Sequence, residues 1–266
     1  MRSNYEHFRA FTICTFAFVV MPAAHGARPP DPVHAPAGSH DLTPIFENAG
    51  LKVRRQGARG TCSVFAVVGA LEYAVARKTG VADPLSVEFL NWAAHKAVNR
   101  TSDGGFFSDL WKGFEAYGIC PEYDCPYAAT FDVDLHPSDE AIKAAAAERK
   151  LGLQIHWIKD WDVHSGLTSA QLDAIKQTIS SGWPVCGGFR WPKQPRWDGS
   201  LLRMCGAGDV FDGHSVLLVG WHDDPAQPGG GSFRIRNSGG GSGPDGSMSY
   251  EYVSAYMNDA CWIDSP

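Results

Sequence analysis

The sequence predicts an α+β protein of two lobes, helical at the N-terminal side and antiparallel β-rich at the C-terminal side, with a cleft between them. Helical periodicity is concentrated between residues 62 and 182, and strand-like apolar runs follow between residues 183 and 257. The chain has 266 residues, of which 44% are hydrophobic, enough for one large domain or two small ones. We therefore expect the functional site to lie in the cleft.

Five segments carry the pattern of helices: residues 62–78, 85–98, 109–118, 139–150 and 169–182. The first is apolar around most of its circumference, which predicts burial on nearly all sides, and Gly80 ends it. Ser86 stands where it would cap the N-terminus of the second helix.

Four later segments carry the pattern of strands: residues 183–191, 214–222, 232–238 and 247–257. The stretch GSGPDG at 241–246 matches G-x-G-x-x-G, a dinucleotide-binding signature that requires a following helix. Pro244 and the YEYV run argue against a helix there, so we interpret the stretch as a loop.

The N-terminal residues differ in composition from the rest. Arg2 and Arg9 precede an apolar run from Ala10 to Met21, and a proline and small residues follow. This layout predicts a signal peptide at 1–26, a mobile leader at 27–41 and a folded domain at 42–266, and therefore a secreted or periplasmic protein. The alternative is a buried N-terminal helix. The run is too short for a membrane span, and no later stretch is long and apolar enough.

Charge and cysteine content exclude other classes of function. The net charge is -6, and no block of lysine and arginine stands out, which argues against nucleic-acid binding. Cys120 and Cys125 form a C-x4-C pair without a second Cys/His pair placed for zinc. We therefore predict no metal site.

Cys62 is the candidate nucleophile, although a cysteine before an apolar helix is more often a packing residue. A helix N-terminus stabilises a thiolate through the positive end of its dipole and its unpaired N–H groups. Gly57 and Gly60 let the backbone turn tightly into the helix. The Gln56 side chain and the Cys62 N–H would stabilise an oxyanion at the substrate carbonyl.

Several motifs in the same order resemble the papain-like cysteine peptidase family over residues 42–263. QGARGTC resembles its Q-G-x-x-G-x-C segment, DGHSVLLVGWHDD the strand beginning with the catalytic histidine, and FRIRNSGGGSGPDG the strand ending at the catalytic asparagine. These matches give Cys62, His214 and Asn237, with His214 lying 152 residues after Cys62 (214 minus 62). SDGGFF resembles the segment whose backbone pairs with substrate, here Gly104 and Gly105.

The resemblance implies a papain-like two-lobed fold and a peptidase acting on proteins or peptides, which we expect to be a monomer. Cys62 would attack an amide carbonyl to give a thioester, His214 would pair with the thiolate and protonate the leaving amine, and Asn237 would orient the imidazole. The resemblance also implies a Cys205–Cys261 disulfide. Cys120 and Cys125 are a second candidate pair, subject to their Cα separation, which would leave Cys186 unpaired.

Three features depart from the family pattern. Arg59 and Ser102 stand where the family places a bridged cysteine pair, and we expect an exposed Arg59–Asp103 ion pair instead. Ser63 replaces an aromatic residue, and Gly239 replaces a tryptophan. The glycine predicts a more solvated Asn237–His214 hydrogen bond, unless a distant aromatic residue such as Trp221 or Trp262 covers it. Two alternatives stay open, a catalytically impaired binding protein and a Cys-His amidase or transpeptidase acting on cell-wall peptides.

Overall fold

The computed structural model describes residues 38–239 and 245–265. The helical segments predicted from sequence are present, with ends shifted by two residues at most. Across the described residues the helices are α1 (Thr43–Asn48), α2 (Cys62–Thr79), α3 (Val87–Val98), α4 (Phe107–Tyr117), α5 (Asp139–Arg149), α6 (Ser169–Ser180) and α7 (Tyr250–Tyr256). Ser86 caps α3 as predicted, accepting a hydrogen bond from the N–H of Phe89 at 2.9 Å.

The strands within the described residues form one nine-stranded sheet in the order β2-β9-β3-β6-β7-β8-β5-β4, with β1 paired to β6. Neighbouring strands are antiparallel except β5 and β8, so the sheet agrees with the predicted α+β class. The strands are β1 (Ser39–Asp41), β2 (Gln154–Lys159), β3 (Val185–Pro192), β4 (Trp197–Asp198), β5 (Leu201–Leu202), β6 (Val210–Asp223), β7 (Gly231–Arg236), β8 (Asp245–Ser249) and β9 (Met257–Asp264).

Helix α2 is buried between the helical lobe and the sheet, as its apolar circumference predicts. Val64, Val67 and Leu71 have no exposed surface, and Gly69 lets the helix approach Leu217 on β6 closely. The helix ends at Gly80, which adopts a left-handed conformation with φ of 74°. This packing fixes the N-terminal end of α2, and with it Cys62, against the middle strands of the sheet.

Two segments differ from the sequence predictions. Residues 39–41, assigned to a mobile leader, form β1, because their main chain pairs with residues 220–222 of β6. Residues 250–256, assigned to a strand, form α7, which Ser249 caps by accepting a hydrogen bond from the N–H of Tyr252 at 3.1 Å. Burial of Tyr252 and Val253 on one helix face outweighs the strand preference of this aromatic run.

The remaining N-terminal predictions fall outside the described residues. These are the signal peptide at 1–26 and the leader at 27–37; most of the loop at 241–246 lies there too, although residues 245 and 246 belong to β8. Every helix in the described part of the chain is too short or too polar to cross a membrane.

Candidate active site

Cys62 is the first residue of α2 and lies at the boundary between the helix and the sheet. The turn into the helix uses Gly57 in a left-handed conformation, with φ of 65°, as the glycine spacing predicts. The side chain is 8% exposed. Its Sγ lies 3.7 Å from the carbonyl oxygen of Gly213 and also contacts Ser215. The thiol therefore contacts the residues on both sides of His214.

The side chains of His214 and Asn237 meet because β6 and β7 are paired neighbours. His214 lies within β6 and Asn237 directly follows β7, and His214 Nε2 is 2.9 Å from Asn237 Oδ1. The N–H of Gly239 donates to the same Oδ1 at 2.9 Å, which fixes this amide atom as an acceptor. His214 Nε2 must therefore carry the proton of this hydrogen bond, and Nδ1 is left for another partner.

Burial acts on the two titratable groups in opposite directions. It raises the pKa of the Cys62 thiol, and hydrogen bonds from Ser215 and Ser63 offset this only in part. It lowers the pKa of His214, and the hydrogen bond with Asn237 offsets this in part. Each isolated ion is thus disfavoured, and a thiolate needs the imidazolium beside it.

Gln56 ties the loop before Cys62 to the segment that carries Asn237. Its Nε2 donates to the carbonyl oxygen of Arg59 at 2.8 Å, and its Oε1 accepts from the hydroxyl of Ser238 at 2.9 Å. The Gln56 N–H also donates to the Ser238 carbonyl at 3.0 Å. One N–H of the side-chain amide has no partner within the described residues, so it is available to an oxyanion.

The two candidate substrate-binding glycines have different surroundings. Gly104 donates its N–H to Asn91 Oδ1 at 3.0 Å, and its carbonyl lies 3.2 Å from His95 Nε2. The main-chain N–H and C=O of Gly105 have no partner within the described part of the chain. Gly105 is therefore the glycine with main-chain groups available to an extended peptide.

Trp191, which the sequence analysis did not name, covers the histidine. Its ring lies 4.4 Å from the imidazole ring of His214, between centroids, and it is buried. Trp221 instead donates to Ser180 Oγ, and Trp262 stacks on His156. Neither of these two residues contacts His214; the distant aromatic residue that does is Trp191, because β3 pairs with β6.

We expect Trp191→Leu to lower kcat about tenfold with little change in KM, because the Asn237–His214 hydrogen bond becomes hydrated and weaker. Steady-state kinetics on one cleavable peptide measure this. Trp197→Leu is the matched control, since Trp197 packs near Trp191 and makes no ring contact with His214. Equal kcat in the two variants would show that Trp191 does not protect the bond.

The sequence expectation of an exposed Arg59–Asp103 pair is half right. Arg59 Nε and Nη2 bind the two Asp103 carboxylate oxygens at 3.0 and 2.9 Å, but the Arg59 side chain is only 4% exposed. Glu88, which the sequence analysis did not identify, binds Arg59 Nη1 at 2.5 Å. Removing one partner from a buried ion pair costs about 3–5 kcal/mol of folding free energy. This is more than the at most about 1 kcal/mol that an exposed ion pair contributes.

The predicted Cys205–Cys261 disulfide is wrong for this structure, in which all six described cysteines are free. Cys261 on β9 lies opposite Cys186 on β3, the residue that the prediction left unpaired. Cys205 is partly exposed in the segment after β5, next to Lys193 and Arg203. Cys120 and Cys125 are buried in one cluster and contact Ser86, also as free thiols.

A cavity of about 280 Å³ opens beside His214 and contains a carboxylate that the sequence analysis missed. Asp259 lines it and is 5% exposed, and Gly188 leaves the space that the carboxylate occupies. Burial raises the pKa of Asp259 to about 7, although Lys159 and the N–H of Gly188 lower it. The cavity beside His214 therefore contains a carboxyl group whose negative charge is only partly offset by its neighbours. Across the described residues, no three His, Cys, Asp or Glu side chains converge as a metal site.

A cysteine at a buried helix N-terminus, beside a histidine–asparagine pair in an α+β fold, is the arrangement of a thiol hydrolase. The family model described as papain family cysteine protease matches residues 46–265. The chain belongs to this family and is a cysteine-type peptidase.

Solved structures of cysteine proteases share the fold. Xylellain from Xylella fastidiosa superposes with a TM-score of 0.69 at 24% identity, covering 88% of this chain and 88% of that one. Digestive procathepsin L 3 of Tenebrio molitor has a TM-score of 0.60 at 19% identity, covering 92% and 73%. The cysteine protease and lectin-like domains of Cwp84 from Clostridium difficile give 0.61 at 17%, covering 88% and 53%. These structures establish the papain-like two-lobed architecture.

Proposed function

We propose that this chain is a secreted or periplasmic peptidase that hydrolyses peptide bonds with Cys62, His214 and Asn237. The observation that carries the proposal is the 2.9 Å hydrogen bond from His214 Nε2 to Asn237, with the Cys62 thiol against the residues flanking His214. This hydrogen bond leaves His214 Nδ1 to exchange a proton with Cys62. The mechanism needs no cofactor.

In the first half of the reaction, the proton of the Cys62 thiol resides on His214 Nδ1, and the thiolate sulfur attacks the amide carbon. The carbonyl electron pair moves to oxygen, where the side-chain amide of Gln56 and the N–H of Cys62 stabilise the charge. The intermediate collapses, the C–N bond breaks, and the leaving nitrogen takes the proton from His214. A thioester on Cys62 remains.

In the second half, His214 accepts a proton from water as the water oxygen attacks the thioester carbon. The C–S bond breaks, the carboxyl product leaves, and Cys62 returns as a thiolate beside the imidazolium. Asn237 keeps the imidazole plane fixed in both halves, because its carbonyl oxygen accepts the Nε2 proton throughout.

Digestion of a peptide library tests the proposal. We expect cleavage of internal amide bonds, and we expect iodoacetamide to abolish it in proportion to Cys62 modification located by peptide mapping. A folded protein that cleaves no library peptide but cleaves cell-wall peptides would instead support the amidase alternative. A protein that cleaves neither would support the impaired binding protein.

The cavity beside His214 predicts a substrate preference that depends on pH. Because the pKa of Asp259 is raised to about 7, its carboxyl is neutral at acid pH and charged above pH 7. Lys159, the cation facing Asp259, donates to the carbonyl oxygens of Asp162 and Asn258. A basic substrate side chain would therefore pair with Asp259 above pH 7, whereas an apolar one suits the neutral form.

We expect the ratio of kcat/KM for an arginine-containing peptide to that for its leucine analogue to rise as the pH passes through about 7. Asp259→Asn should make this ratio independent of pH. Asp264→Asn is the matched control, since Asp264 pairs with His156 at the edge of the sheet. A pH-dependent ratio that survives in Asp259→Asn would show that another group sets the preference.

The extracytoplasmic location is supported by the composition of residues 1–26. N-terminal sequencing of protein recovered from the periplasm or the medium tests it. A mature chain beginning near residues 24–27 would agree with the proposal, and a cytoplasmic protein that begins at Met1 would contradict it.

A further inference from the structure

A buried cluster of three charged side chains lies behind the candidate site, where the sequence analysis expected a surface ion pair. Arg59 donates to both oxygens of Asp103 and to Glu88, and its Nη1 also donates to the carbonyl of Ala128 at 2.9 Å. Its guanidinium lies 4.6 Å from the ring of Tyr127. Burial lowers the pKa of Arg59, but the hydrogen bonds that it donates to Asp103 and Glu88, and the charges of these two acids, outweigh this, so the pKa is raised and the group stays charged.

The cluster joins chain segments that are distant in sequence. Arg59 belongs to the loop before Cys62, Glu88 to α3, and Asp103 to the loop that carries the two candidate substrate-binding glycines. Glu88 also accepts from the N–H of Ala128 at 3.0 Å. A planar guanidinium can bind two carboxylates and a carbonyl at once, which an ammonium on a flexible stem does not reproduce.

Hydrogen bonds continue from the cluster to the main chain of Gly104. Asp103 Oδ1 accepts from Asn91 Nδ2 at 3.0 Å, and Asn91 Oδ1 accepts from the N–H of Gly104 at 3.0 Å. Gly104 has φ of 75°, and a Cβ there would lie only 2.2 Å from the carbonyl oxygen of Gly60. The backbone of this loop thus packs directly on the chain two residues before Cys62.

We propose that Arg59 is a positioning residue for the peptide substrate. Through the hydrogen bonds that run over Asp103, Asn91 and Gly104, Arg59 keeps the main chain of Gly105 in a fixed position relative to Cys62. The inference rests on the proposed peptidase site and deepens it. The N–H and C=O of Gly105 have no partner in the described part of the chain and can pair with an extended peptide, so a shift of Gly105 weakens peptide binding in the ground state and the transition state alike. Such a loss raises KM and leaves kcat nearly unchanged.

The test compares Arg59→Lys with Arg54→Lys. Arg54 is a matched control, because it lies in the same loop as Arg59 and also binds two carboxylates, those of Glu72 and Glu122. Arg54 makes no contact with residues 102–105. We expect Arg59→Lys to raise KM about tenfold with kcat within about threefold of wild type. We expect Arg54→Lys to lower the melting temperature while KM stays at the wild-type value.

Two further measurements keep the inference falsifiable. In a Cys62→Ala background, the Kd of the library peptide that this protein binds most tightly should rise about tenfold on adding Arg59→Lys. Asp103→Asn, which retains the side-chain shape, should raise KM in the same direction even where Arg59→Lys does not fold. The rate of Cys62 alkylation by iodoacetamide should not change, because this reagent does not pair with the main chain of Gly105.

An active wild type with unchanged KM in folded Arg59→Lys and Asp103→Asn would overturn the inference and leave the proposed function intact. An equal rise of KM in Arg54→Lys would also overturn it, because the effect would then follow from loss of stability. A wild type that hydrolyses no peptide would contradict the proposed function. The Kd measurement alone would then decide whether Arg59 positions the main chain of Gly105.

Discussion

Cys62→Ala protein is expected to hydrolyse peptides at least on the order of 10⁵-fold more slowly than wild type. The reason is that the proposed reaction forms a bond to the Cys62 sulfur, and no other thiol lies between His214 and the oxyanion donors in the described residues. Peptide binding should persist, because Gly105 and Gln56 are unchanged. Steady-state kinetics and a Kd measurement on the same peptide separate the two effects.

Cys205→Ala is the control for this substitution, since Cys205 is the most exposed of the described thiols and lies outside the cleft. Its kinetics should match those of wild type. Residual hydrolysis within 100-fold of wild type by a contaminant-free Cys62→Ala preparation would show that another group performs the attack.

His214→Ala is expected to lower kcat/KM on the order of 10³-fold, because the enzyme loses its general acid and base. It should also move the alkylation of Cys62 to higher pH. In wild type the imidazolium stabilises the thiolate, so the reactive form should exist well below pH 8.5. Without His214, burial raises the pKa of the thiol and the hydrogen bonds from Ser215 and Ser63 offset this only in part, so alkylation should require a pH at or above the pKa of an ordinary thiol.

The measurement is the rate of iodoacetamide reaction with Cys62 across pH, for both proteins. His156→Ala is the matched control, because it removes an imidazole from edge strand β2 and leaves the cleft unchanged. An unchanged pH profile in His214→Ala would mean that His214 is not the partner of Cys62. A shift in the control as well would point to a general loss of structure.

Much of the fold and the candidate site could be predicted because the relevant signals are local. The buried helix that begins at Cys62, the Ser86 cap and the strand that carries His214 each depend on residues within a few positions of one another. Residues 250–256 of the predicted strand 247–257 were assigned wrongly, since their aromatic and β-branched residues favour a strand locally. Ser249 before Glu251 is a helix-start signal that could have identified α7.

The sequence by itself determined the class of this protein, because Cys62, His214 and Asn237 each lie in a short continuous motif, and the three motifs follow one another in the order of the family that they resemble. Only the tertiary structure decided that Trp191 covers His214, that Asp259 enters the neighbouring cavity, and that Glu88 completes the Arg59 cluster. These contacts depend on the pairing of β3 with β6 and β9, and on the packing of α3 against the loop before Cys62. Local periodicity specifies which face of an element is buried but not which distant side chain it meets, so such contacts are set by the packed fold.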